Sequence, residues 1–196
     1  MVDLPPEREG GFPLRNVQDK RQEDRKVEGE VPIISIVGKS NSGKTTLIEK
    51  LIPELMRRGW RVGTIKHNMH GFEIDHEGKD SWRHKKAGAA VTVVASPSRV
   101  AVIEDTDRDY EIGEIRERYI RGVDVVLVEG YKGNPYPKIE VFRPALRRER
   151  LCGSRDNLVA VASDEALSVE APFFHLSDIA GIADLIENRF LKGGRT

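Results

Sequence analysis

One stretch of eight residues dominates the chemistry available to this chain. Gly38-Lys39-Ser40-Asn41-Ser42-Gly43-Lys44-Thr45 fits G-x-x-x-x-G-K-[ST] at every fixed position. A phosphate tail carries concentrated negative charge, and a loop of this kind meets it with main-chain N–H groups. Here those are the groups of residues 41–46, from Asn41 and Ser42 through Thr46. Gly38 and Gly43 permit the tight path and the close approach. The following helix brings further unsatisfied N–H groups and the positive end of its dipole. Lys44 would reach the β and γ phosphates, and Thr45 would offer its hydroxyl to Mg²⁺. A plain Gly-rich turn is the bland alternative, but the apolar strand before it and the amphipathic helix after it are the context this mechanism requires. Lys39 is either a contact to a nucleotide across a dimer or a solvated surface lysine.

Three further positions complete the candidate chemistry. Asp124 to Gly130 reads D-V-V-L-V-E-G, an apolar strand that ends in an acid. Glu129 is the candidate to hold the Mg²⁺ shell or to position an attacking water, with Lys44 as the second catalytic candidate. Its alternative is a structural ion pair. Gly130 would let the next loop respond to a γ phosphate, and Asp124 reads as a solvated cap. Lys66 and His67 leave the C-terminal end of a second strand, the edge where open α/β sheets bind ligands. Asp75 and Asp80, in the polar loop beyond, are candidates for water-mediated metal contacts. His67, His70, His76 and His84 invite a zinc reading, but their spacing matches no tetrahedral set and no cysteine is near.

Leu158 to Asp164 is another strand leading to an acid. A carboxylate accepts both the N1–H and the exocyclic amine of guanine. Adenine offers an acceptor at that edge and would repel it. Asp164 therefore favours GTP over ATP, unless Ser163 and Asp164 merely cap a short helix through Glu165-Ala166-Leu167.

These positions need elements to hold them. Apolar, β-branched runs at Val31–Val37 and Val123–Val128 read as strands buried on both faces. Trp60–Lys66, Lys138–Phe142, Leu158–Ala162 and Phe173–Leu176 read as further strands. Helical patterns follow the phosphate loop, span 81–88 and 109–121, and close the chain after Ser177 as a cap. Pro53 should kink or split the first helix. Ala90–Ala95 and Arg99–Ile103 flank Ser96-Pro97-Ser98 as a hairpin, expected at a sheet edge. The fold class is α/β: a doubly wound, mostly parallel sheet of P-loop NTPase type with an added antiparallel hairpin.

Composition bounds the rest. The 196 residues suit one ordinary domain, and Lys+Arg 32 against Asp+Glu 32 leaves no net charge to hold a nucleic acid nonspecifically. No apolar run is long enough for a bilayer, so neither nucleic acid nor membrane is an expected partner. One cysteine excludes an internal disulfide framework and, with the charged N-terminus, fits a cytoplasmic protein. Residues 1–30, with eight acidic and six basic residues, read as a flexible extension; 31–192 read as one P-loop GTP-binding domain.

Taken in order, several segments resemble the molybdopterin-guanine dinucleotide biosynthesis adaptor proteins, MobB. They are Gly43-Lys44-Thr45-Thr46-Leu47, Ile65-Lys66-His67, Gly78-Lys79-Asp80-Ser81, Lys86-Ala87-Gly88-Ala89, Leu127-Val128-Glu129-Gly130-Tyr131-Lys132 and Ala160-Val161-Ala162-Ser163-Asp164. The resemblance implies a dimeric GTP- and Mg²⁺-binding protein with weak GTPase activity, assisting the guanylyltransferase that joins GMP to molybdopterin. It gives residues 64–67, 75–81 and 129–132 a place around the nucleotide or a bound molybdopterin cargo. Alternatives are a P-loop small-molecule kinase and a metallochaperone GTPase. Arg143, Arg147, Arg148, Arg150 and Arg155 cluster as a surface for an anionic pterin phosphate or an acidic partner, or as a solvated loop face.

Overall fold

The computed structural model describes residues 30–68, 70–153 and 155–192. The extension expected at the N-terminus lies outside the described residues, Glu30 excepted.

The strands are β1 (Ile33–Val37), β2 (Val62–Lys66), β3 (Val91–Ser96), β4 (Arg99–Glu104), β5 (Val125–Glu129), β6 (Lys138–Phe142), β7 (Leu158–Ser163) and β8 (Phe173–His175). The α-helices are α1 (Lys44–Arg57), α2 (Asp80–Lys86), α3 (Ile112–Tyr119) and α4 (Ile179–Ile186). Six strands form one sheet in the order β2-β5-β1-β6-β7-β8, and every pairing in it is parallel.

Alternation along the strands divides the core. Ile34 and Ile36 of β1, with Leu127, Ile139 and Val141, pack against Leu47, Ile48, Leu51 and Leu55 of α1 and Ile182 and Ile186 of α4. Ile33, Ile65, Val126 and Val128 face the other way and meet Ile112 of α3. This double cover explains why the β1 and β5 runs are apolar at almost every position. Each fully buried Leu or Ile contributes about 1.5–3 kcal/mol of transfer free energy, so this two-sided core is the main stabilising term.

Local signals set the helix ends. Glu111 and Glu114 form a capping box at the start of α3. Asp178, rather than the expected Ser177, caps α4 by accepting from the Gly181 N–H at 2.9 Å.

Two expectations are corrected. Pro53 lies inside α1 without splitting it. Glu49, whose carbonyl loses its partner to the proline, and Pro53 itself are both exposed, so water satisfies what the helix cannot. The β3–β4 hairpin does not extend an edge of the main sheet; it forms a separate two-stranded sheet. Its register pairs Val93 with Val102 and Ala95 with Val100.

Candidate functional site

The phosphate loop begins where β1 stops. At Gly38 a Cβ would lie 2.4 Å from the Val141 carbonyl oxygen and 2.6 Å from Ser42 Oγ, so the loop closes against β6 only with glycine there. Asn41 takes φ 64, a left-handed conformation that asparagine tolerates better than most residues. Gly43 takes φ 102 at the cap of α1.

The helix itself opens bare. No side chain caps α1, no acid sits in its first turn, and the first helical bond runs from Leu47 N–H to the Gly43 carbonyl at 2.9 Å. The N–H groups ahead of Leu47, including those of Thr45 and Thr46, have no carbonyl to bind within the helix. Against the capped α3 and α4, this start is suited to an anion.

Parallel register carries the remaining groups to the same edge. Glu129 is opposite Ile36 on one side and Lys66 on the other. Gly130 N–H donates to the Ile36 carbonyl at 3.0 Å, and His67 N–H to the Glu129 carbonyl at 3.3 Å. Across this edge Thr45 Oγ1 donates to Glu129 Oε1 at 2.9 Å, and Lys66 Nζ lies 3.6 Å from the same oxygen. Lys44 Nζ donates to the Lys39 carbonyl at 3.0 Å, folding back over its own loop. Burial lowers the Lys44 pKa, the Glu129 carboxylate opposes that shift, and Lys66 adds to it. Two cations thus share one acid beside the cradle.

The structure therefore gathers Gly38, Asn41, Ser42, Gly43, Lys44, Thr45, Thr46, Lys66, His67, Glu129 and Gly130 at one end of the sheet. Asp80 makes none of these contacts. It opens α2, is exposed, lies 3.7 Å from Arg83, and makes no hydrogen bond or ion pair with Thr45 or Glu129. Asp75 accepts from Ser81 Oγ at 2.9 Å and from the His76 N–H at 2.7 Å, bonds that hold its carboxyl below the usual range. Among the described residues, no three His, Cys, Asp or Glu side chains come together to hold a metal. Asp124 accepts from the Arg61 N–H at 2.6 Å.

No helix forms directly after β7. Residues 164–165 bend and the chain then runs irregularly, so Asp164 caps nothing helical. Its Oδ2 lies 3.3 Å from Arg143 Nη1, while its Oδ1 is buried without a hydrogen-bond partner among the described residues.

The arginine cluster divides. Arg150 donates to the buried Glu140 at 3.2 Å and is structural, whereas Arg143 turns toward the phosphate loop. Arg143 had only its place in that cluster to mark it. His67 gains partners no local pattern announces: Nε2 is 3.0 Å from Asp109, and its ring stacks on Tyr131 at 4.3 Å.

Beside Lys66 and His67 opens a cavity of about 660 Å³. Phe72, Trp82, Tyr110 and Tyr119 line it together with Lys86 and Asp109. The Lys86 ammonium lies 5.4 Å from the centre of the Trp82 ring.

A parallel sheet whose first strand runs into a glycine-bounded cradle, with the acid of the neighbouring strand bonded to the cradle's hydroxyl, defines an α/β protein of the P-loop class. Residues 33–164 match the family model described as molybdopterin guanine dinucleotide synthesis protein B, MobB. The chain belongs to that family.

It is 39% identical over 163 residues to the molybdopterin-guanine dinucleotide biosynthesis adapter protein of Haemophilus influenzae, covering 83% of this chain and 91% of the relative. It is 38% identical over 161 residues to the adapter protein of Escherichia coli, covering 80% and 91%. The crystal structure of Bacillus subtilis MobB superposes with a TM-score of 0.65 at 30% identity, covering 81% of this chain and 98% of that one.

Proposed function

We propose that this chain is a GTP-binding adaptor with weak GTPase activity that assists the attachment of GMP to molybdopterin. The carrying observation is the 2.9 Å bond from Thr45 to Glu129 across the mouth of the phosphate loop, in a chain of this family. The loop amides and Lys44 would hold the triphosphate. Asp164 would read guanine, supported by its free, buried oxygen at the end of the strand two places from β1. Thr45 and Glu129 are hard oxygen donors that fit Mg²⁺, which binds through few protein ligands beside the phosphates. Bound there, Mg²⁺ would neutralise phosphate charge. Asp80 would join that set only through water.

The cavity beside Lys66 suits a flat heterocycle with an anionic tail. Aromatic faces take the ring, while Lys66 and Lys86 face the charge. We assign the pterin cargo to it. The same cavity would hold an acceptor if the chain were a small-molecule kinase. Phosphate release separates the two: a steep rise with an added pterin favours a kinase, whereas slow release without one favours the adaptor.

A homodimer is part of this proposal. The hairpin exposes Val93 at 57% and Val100 at 67%, and an isolated two-stranded hairpin is marginal in water. A second copy would cover it.

The deciding experiment titrates GTP and ATP against the wild type and Lys44→Ala, then adds the guanylyltransferase and follows GMP transfer. Lys44→Ala should weaken triphosphate binding by about a hundredfold, the loss of a charge-assisted contact made from a partly buried site. Equal binding by the variant removes the phosphate-loop assignment. Guanylyl transfer that is indifferent to the wild-type protein removes the adaptor role.

A further inference from the structure

Arg143 lies outside the G-x-x-x-x-G-K-[ST] pattern and outside β5, yet it touches both ends of the nucleotide site. Register brings it there. Phe142 of β6 pairs with Ser163 of β7, so the next residues, Arg143 and Asp164, leave the sheet side by side. Pro144 follows, and a residue before proline is held extended; Arg143 takes φ −128, ψ 110.

From that backbone the guanidinium makes two contacts. Nε donates to the Ser42 carbonyl at 3.0 Å, and Nη1 lies 3.3 Å from Asp164 Oδ2. The group lies over Gly43, where a Cβ would come within 3.5 Å of Nη2. The Arg143 and Asp164 side chains are 41% and 33% exposed, and an ion pair so wetted contributes little to stability. What it supplies is geometry. A planar fork can serve a carbonyl and a carboxylate at fixed separation; an ammonium is a point charge and serves one well.

We propose that Arg143 is a positioning and specificity residue, a strut that fixes the Asp164 carboxylate relative to the phosphate loop so that preference for a guanine nucleotide depends on it. This rests on Asp164 reading the base. Without the strut, Asp164 loses its counter-charge and turns freely, and the Ser42 carbonyl loses its donor. Guanine recognition then suffers more than the grip on phosphate, which Lys44 and the loop amides retain.

The test titrates GTP and ATP against the full chain as wild type, Arg143→Ala, Arg143→Lys, Asp164→Ala and Arg143→Ala/Asp164→Ala, with melting temperatures recorded for each. Arg143→Ala should reduce the GTP-over-ATP preference by about tenfold or more while melting close to wild type. Arg143→Lys should recover little of it. The double variant should show no more loss of preference than Asp164→Ala alone, the mark of two groups acting as one.

Loss of GTP and ATP binding by one common factor in Arg143→Ala overturns the proposal, and so does a double variant whose losses multiply. If Asp164→Ala abolishes the preference while Arg143→Ala keeps it, the base assignment stands and the strut fails. If Asp164→Ala leaves the preference intact, the base assignment fails and the strut falls with it.

Discussion

Under the proposed reading, Asp164 is the residue on which nucleotide choice turns. If its carboxylate accepts from the guanine N1–H and 2-amine, Asp164→Asn presents a donor where the amine was met. Xanthosine triphosphate, with a carbonyl at that position, then fits better than GTP. Competition binding should show GTP weakened about tenfold or more and the xanthine nucleotide strengthened; unchanged base preference removes Asp164 from the site. Cys152 makes a second prediction. It is 5% exposed, and burial, aided by the negative charges of Glu140 and Asp156, pushes its thiol up to about 11. At neutral pH almost none is thiolate, so alkylation by iodoacetamide should be slow in the native protein and rapid once it is unfolded. Fast native labelling would show that the 150–157 segment opens readily.

The elements divide into those written locally and those that are not. The β1–loop–α1 unit was legible because its signals are adjacent in sequence: a β-branched run, two glycines at fixed spacing, then Leu47, Ile48, Leu51 and Leu55 on one face. Strand β6 was legible in position but not in chemistry. K-I-E-V-F alternates like a half-solvated strand, yet Lys138 and Glu140 are 2% and 1% exposed. Their partners come from the loops on either side of the strand: Lys138 donates to the Asn134 and Tyr136 carbonyls, and Glu140 accepts from Arg150 and the Leu151 and Cys152 N–H groups. No local period reveals that satisfaction. For the same reason Arg143 stood out only as one of a cluster, since its role depends on which strand lies beside β6.

At this scale lies a prediction in acid. Arg58, at the end of α1, reaches Glu54 at 2.7 Å, Asp184 of α4 at 2.5 Å and Glu187 at 2.9 Å. Hydrogen bonds from Arg57 and Arg58 bring Glu54 down to about 2 from its ordinary 4.5. A depressed carboxyl stabilises the fold fully above its unfolded value, and that contribution is lost as pH falls through the folded one. Melting temperature should therefore drop between about pH 4.5 and pH 2, and drop less steeply in Glu54→Gln. Equal acid sensitivity in the two proteins would assign the loss to other carboxylates.

At the scale of the whole molecule, the six-stranded order places β2, β5 and β1 together, which is why Lys66, Glu129 and the phosphate loop share an edge although they are far apart in sequence. The hairpin stands outside this plan, and its outward valines call for cover. Under the proposed reading, replacing Val93 and Val100 with lysine should convert the dimer into a monomer in sedimentation analysis while leaving GTP affinity nearly unchanged. A monomeric wild type would assign the valine face to another occupant.

The Thr45–Glu129 hydrogen bond has a consequence for the order of events. While the hydroxyl and the carboxylate satisfy each other, a divalent ion arriving alone must compete with that bond and finds few protein oxygens to replace its water shell. An ion escorted by a triphosphate brings its own oxygens and can compensate both groups at once. Under the proposed reading, cation and nucleotide enter as one package, and the cation alone should not saturate the site.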